Sequence, residues 1–228
     1  MQKNKPQLKV NNMKLIWYFD FISPFAYMQH CLFNQLPDDV EIEYRPILFA
    51  GLLKHWENVG PAEIAPKRIF TYKHCYWQAK RRNIAFKMPP EHPFNSLAAL
   101  RLAIALNCQK DVIQIIFEAI WKEGLSLHSP EAIHYLEAEL EISDLVSLIS
   151  EQSVKDQLRT NTEKAIFDSV FGVPTFITTS DEPMLNNELF WGLDSFEMLL
   201  DYLKCPSTYN DLEMQRIAQL PEGIQRKR

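Results

Sequence analysis

Apolar and polar positions along this chain follow two periods, and the period changes twice. Residues 14–20 open with an unbroken run, Leu15, Ile16, Trp17, Tyr18 and Phe19, which predicts a buried strand. Pro24 then starts a helix at a first-turn position, where proline's missing N–H is not needed. Phe25, Met28, Leu32 and Leu36 give this helix an apolar stripe to about residue 35, with Cys31 on its core side. Residues 40–45 alternate. Val40, Ile42 and Tyr44 face one way and Glu41, Glu43 and Arg45 the other, as in a half-exposed strand. Strand, helix and strand with a short second connection predict a right-handed parallel unit.

From Pro46 to about residue 168 the pattern is helical almost throughout. Residues 66–82 form one long amphipathic stretch with a basic flank at Lys80-Arg81-Arg82. Residues 89–93 are a proline-rich loop, and His92 and Asn95 in and beside it are read as loop-ordering residues. Further helices are expected at 96–106, at 111–121, from Ser129-Pro130, from Ser143-Asp144, and over 153–169. Strand character returns at 175–179 and, after a turn at 181–183, at 188–191, which reads as a hairpin. A closing helix spans 194–203, with Phe196, Leu199, Leu200 and Leu203 inward and Asp194 or Ser195 at its N-cap. The order βαβ, helices, ββα makes this an α/β chain with a thioredoxin-like sheet from residues 13–48 and 170–205. Residues 49–169 form an all-α insertion domain, and 1–12 and 206–228 are tails. Joining both halves in one sheet puts Ser23 beside Val173-Pro174 at a cleft against the helices.

Composition narrows the function. A hydrophobic fraction of 46% excludes disorder over most of the 228 residues. Glycine is scarce, and no phosphate-cradling glycine motif is present. A formal net charge of −5 argues against nucleic acid as a partner. Cys31, Cys75, Cys108 and Cys205 are scattered with no C-x-x-C, so neither a metal site nor a redox dithiol is expected. Free thiols, a polar start without a secretory h-region and no membrane-length apolar run lead to the expectation of a cytoplasmic protein without membrane contact.

The candidate chemistry lies at the strand-to-helix turn. Ser23 sits at an N-cap position, where unpaired N–H groups and the helix dipole favour an anion such as a thiolate. Ser23-Pro24-Phe25-Ala26 carries no thiol of its own, so the hydroxyl would serve another molecule's sulfur. Ser23 also has an ordinary alternative, a plain helix cap.

The stretch from Asp20 to Tyr27 (DFISPFAY), together with Gly172-Val173-Pro174-Thr175-Phe176 and Trp191-Gly192-Leu193-Asp194-Ser195, resembles the 2-hydroxychromene-2-carboxylate isomerases over residues 14–204. These are relatives of the kappa-class glutathione transferases and share the helical insertion of the periplasmic disulfide oxidoreductases. The resemblance implies a glutathione-dependent isomerase acting on an aromatic-derived acid. It implies Ser23 as the catalytic group that steadies the glutathione thiolate. Val173, before a cis Pro174, would pair with the cysteinyl part, and Asp194 and Ser195 would take the γ-glutamyl end. Asn58 and Lys67, framed by Gly51, Lys54 and Pro61-Ala62-Glu63, match positions near the glycyl end and the substrate. A homodimer is implied by the same likeness, although no pattern marks an interface. Phe25 stands where the family often has tyrosine, which bears on the substrate rather than on glutathione. A kappa-type transferase or peroxidase using the same site is the alternative, and a thioredoxin-like binding module without turnover is another.

Overall fold

The computed structural model describes residues 13–181 and 185–223. Strand β1 (Lys14–Phe19) leads through a turn to helix α1 (Pro24–His30), and β2 (Glu41–Pro46) follows. Seven helices come next: α2 (Phe49–His55), α3 (Ala65–Arg81), α4 (Leu97–Ala105), α5 (Lys110–Trp121), α6 (Pro130–Glu139), α7 (Leu145–Ser150) and α8 (Gln152–Phe167). The hairpin β3 (Thr175–Thr179) and β4 (Leu189–Trp191), α9 (Phe196–Lys204) and a short α10 (Leu212–Ile217) complete the described chain. The sheet order is β2-β1-β3-β4, with β1 parallel to β2 and antiparallel to β3. This is the thioredoxin-like arrangement with a helical insertion, and the insertion leaves the chain after β2 and returns it at β3.

β1 lies at the heart of the sheet because both of its faces are apolar. Successive side chains of a strand point to opposite faces. Leu15, Trp17 and Phe19 join the larger core against α1, α5 and α9, whereas Ile16 and Tyr18 join a second cluster with Leu52, Ala165 and Ile177. Trp17 stacks on Phe19 at 4.3 Å and meets Phe33 edge-on at 4.8 Å. Its indole Nε1 donates to Gln29 Oε1 at 2.7 Å. Gln29 is wholly buried, and its other end donates to Gly192 O at 2.9 Å. A buried amide satisfied at both ends fixes its neighbours. Here it fastens the core strand to the turn that precedes α9.

Three expectations need correction. The first helix stops at His30, and Phe33–Gln35 form a 3-10 turn. Phe33 takes the next core position, so Cys31 caps the helix and is exposed rather than in the core. In β2, Arg45 does not face solvent. It is 7% exposed, donates to the Tyr18 hydroxyl at 2.6 Å and pairs with Glu43. Tyr18 in turn donates to Asp168 at 2.5 Å, which ties β1 to the end of α8. The stretch after residue 205 is not all tail. Pro206–Asn210 form a 3-10 turn whose Tyr209 ring lies 5.2 Å from Tyr202, and α10 follows. Residues 1–12, 182–184, with most of the expected turn at 181–183, and 224–228 lie outside the described residues.

Candidate active site

The turn from Asp20 to Ser23 is held from every side. Asp20 is 1% exposed, and its two oxygens accept from Ile22 N at 3.0 Å and Phe49 N at 2.9 Å. Burial pushes its carboxyl up to about 6, against the Ser96 hydroxyl and the two N–H groups, which all favour the anion. Trp121 Nε1 donates to Phe21 O at 2.9 Å. His92 Nε2 donates to Ile22 O at 2.8 Å. That bond fixes the tautomer and leaves Nδ1 as an acceptor, 2.9 Å from the Tyr72 hydroxyl. Burial lowers the His92 pKa, which keeps the ring neutral in this role. Three residues of the helical insertion, Phe49, His92 and Trp121, thus set the shape of a loop that belongs to the sheet.

Ser23 ends that loop. It is 8% exposed, has extended backbone, and its Oγ accepts from Ala26 N at 3.3 Å. The hydroxyl proton has no acceptor among the described residues. Opposite, Thr175 pairs with Tyr18 in the antiparallel register, so Pro174 and Val173 run past the end of β1 where Ser23 emerges. The Val173-Pro174 bond is cis. Pro174 O accepts from Gly192 N at 2.8 Å, and no hydrogen bond among the described residues uses the backbone of Val173. An unused backbone edge beside a free hydroxyl is suited to an extended peptide carrying a polar or anionic side group.

Two glycines make this edge possible. Gly192 has φ +84°, a left-handed conformation that other residues resist. A Cβ on Gly172 would stand 2.4 Å from Trp191 Nε1, and the Trp191 ring already meets Phe171 at 5.0 Å. Gly172→Ala is therefore expected to displace Trp191 and the Val173 edge, at a cost of about 1–3 kcal/mol. A chemical denaturation midpoint lowered accordingly would bear this out, and an unchanged midpoint would contradict it.

The remaining candidates are placed unevenly. Ser195 caps α9, but its hydroxyl donates to Gly192 O at 3.0 Å rather than accepting from the helix. Asp194 is exposed beside it and lines a cleft of about 330 Å³. Asn58 is exposed, and its Oδ1 accepts from Val59 N at 2.8 Å. Its loop is anchored near the site, since Trp56 Nε1 donates to Val170 O at 2.9 Å. Lys67 lies exposed in the first turn of α3, and no hydrogen bond or ion pair with a described residue draws it toward Ser23. Pro174 and Ser195 are linked through Gly192, Val173 and Asp194 adjoin them in the chain, and the register sets Ser23 at the end of β1 beside Pro174, whereas Asn58 is tethered nearby and Lys67 is not joined to them. Asp20, Gln29, Trp121 and His92 support the arrangement. Among these, Asp20 and Gln29 carried a readable signal, a polar residue on an otherwise apolar face.

Among the described residues no cluster of His, Cys, Asp or Glu can hold a metal ion, and no helix is long and apolar enough to cross a membrane. Cys31, Cys75 and Cys108 form no disulfide among the described residues. Comparison with known proteins fits this geometry. The DSBA-like thioredoxin domain matches residues 14–204. Glutathione s-transferase kappa 2 of Caenorhabditis elegans is 26% identical over 86% of this chain and 94% of its own length. A 2-hydroxychromene-2-carboxylate isomerase of Pseudomonas sp. (strain C18) is 27% identical over 80% of this chain and 86% of its own. In fold, a solved 2-hydroxychromene-2-carboxylate isomerase superposes with a TM-score of 0.69 at 22% identity, covering 91% of this chain and all of that one. With the sheet order, the cis proline and the capped first helix in place, the match over residues 14–204 settles the family: the chain belongs to the DSBA-like thioredoxin domains.

Proposed function

We propose that this chain is a glutathione-dependent isomerase of the 2-hydroxychromene-2-carboxylate isomerase kind. The reading rests on the Ser23 hydroxyl, whose proton has no acceptor among the described residues, at the end of β1 that the register sets beside the unused Val173 edge. Glutathione lies extended along that edge, with its sulfur at Ser23 and its γ-glutamyl end toward Asp194 and Ser195. Asn58 and Lys67 serve the glycyl end and the substrate carboxylate. A free thiol has a pKa of about 8.5, and lowering it to about 7 needs roughly 2 kcal/mol. A charge-assisted hydrogen bond contributes about 1.5–3 kcal/mol and a helix N-terminus about 0.3–1 kcal/mol. Together they suffice without a metal.

The thiolate adds its electron pair to a conjugated carbon of the aromatic-derived acid, and the double bond becomes single. Rotation follows, and expulsion of the same thiolate restores the double bond in the other geometry. Glutathione is regenerated, so it acts as a cofactor. The likeness to kappa-class glutathione transferases over 86% of the chain favours one second reading, transfer of the thiolate to an electrophile that loses a leaving group. An assay with each substrate separates them. Glutathione-dependent isomerisation of the chromene acid is expected. Conjugation of a chloro-nitroaromatic with no isomerisation would replace the first reading by the second. A homodimer in the cytoplasm belongs to the same proposal, and sedimentation should give twice the mass of the chain.

A further inference from the structure

A pocket of about 290 Å³ opens at the end of α1 away from Ser23. Tyr27, His30 and Cys31 of α1 and Phe33 of the following turn form one wall. Lys110, Gln114 and Glu118, every fourth residue along one face of α5, form the other. Two of these groups lack the partners that their positions call for. His30 is 7% exposed and sits among the rings of Trp17, Phe33, Tyr44 and Phe117, with centroids 5.0 to 6.0 Å away. Its Nε2 is buried without a hydrogen-bond partner, a rare condition for a polar atom in a folded chain. Lys110 is the first residue of α5, and among the described residues it has no ion pair or hydrogen bond. A cation at a helix N-terminus opposes the dipole, so this lysine does nothing for its own helix.

Both groups suit an anion. Glu118, the carboxylate that lines the pocket, is already held by Lys122 Nζ at 2.7 Å and by Gln114 Nε2 at 2.9 Å. Burial pushes the Cys31 thiol up to about 11, so it adds no negative charge near neutral pH. Burial and the Lys110 charge lower His30 to about 4, so the imidazole is neutral and has one N–H to give. Tyr27 and Phe33 supply apolar rings, and the volume is at the lower end of the about 300–1,000 Å³ usual for ligand pockets. We infer that this pocket binds a small aromatic carboxylate, with the carboxylate at Lys110 and His30 and the ring against Tyr27 and Phe33. About two helical turns separate His30 from Ser23, so the site is distinct from the thiolate site and does not depend on it.

Titration with benzoate, followed in nitrogen-resolved magnetic resonance spectra of the histidine side chains, tests this. His30→Phe assigns the signal. Benzoate is expected to shift the His30 ring signals saturably. Benzamide has the shape without the charge and inorganic phosphate has the charge without the ring, and each should bind at least about tenfold more weakly. Lys110→Gln should weaken benzoate about tenfold and leave benzamide unchanged. The Lys110 side chain is exposed, so this variant keeps the fold. Ser23→Gly should leave the benzoate curve where it is. An unmoved His30 signal, undiminished benzoate binding in Lys110→Gln, phosphate that matches benzoate, or loss of the shift in Ser23→Gly would each overturn the inference, and none of these results bears on glutathione binding.

Discussion

Ser23→Ala is expected to raise the pKa of bound glutathione by about 1–2 units and to cut turnover about 10–100-fold near neutral pH, the loss of a charge-assisted hydrogen bond worth about 1.5–3 kcal/mol. Absorbance of the thiolate as a function of pH reads the first effect directly. The substitution also removes the acceptor for Ala26 N, which costs about 0.5–2 kcal/mol of stability. Ser23→Gly separates the two roles, because glycine at an N-cap costs only a few tenths of a kcal/mol. If the glycine variant keeps its thiolate and its rate, the hydroxyl is a cap and nothing more.

The second large effect belongs to Asp20. Its carboxyl titrates at about 6 when folded, against 3.8 for the ordinary group. A raised carboxyl means that the folded state holds the proton more tightly than the unfolded one. The favourable contribution is complete below pH 4 and is lost as pH rises through 6, by about 3 kcal/mol. Asp20→Asn abolishes this slope. The stability of the unaltered protein relative to the variant should therefore fall by about 3 kcal/mol between pH 4 and pH 7, read from denaturation midpoints at each pH. A constant difference would mean that Asp20 does not titrate in that window. At neutral pH the charged form is retained at a cost, and its two backbone bonds show what it serves. It holds the Ser23 turn against the first residue of α2, where an asparagine could accept from only one of the two N–H groups at a time.

Much of this was legible in the sequence, and the limits have physical causes. The run at 15–19, the Ser23-Pro24 start, the Ser129-Pro130 start and the closing hairpin are local signals, written by neighbours a few residues apart. The length of α1 was not, because the competition between one more helical turn and a 3-10 turn was decided by Phe33, which packs against Trp17. The alternation of β2 suggested a solvent-facing Arg45. Its burial depends on Tyr18 and Asp168, the latter 150 residues from its tyrosine partner. Asp20 and Gln29 appear in the sequence as polar intruders on apolar faces, but their partners arrive from α2 and from the turn before α9. The site candidates divide in the same way. Ser23 and Val173-Pro174 follow from strand order, which the pattern supplies. The position of Lys67 depends on how α3 lies against α1, and no periodicity encodes that.

The central claim is a thiolate site made by Ser23 and the Val173 edge. Titration of the protein with glutathione in a calorimeter, in buffers of different ionisation enthalpy, tests it most directly. Saturable binding that releases about half a proton per site near pH 7, as a thiol shifted from about 8.5 to about 7 requires, is the predicted result. Saturable binding without proton release would leave a peptide site that does not activate the thiol, and no binding at all would contradict the account.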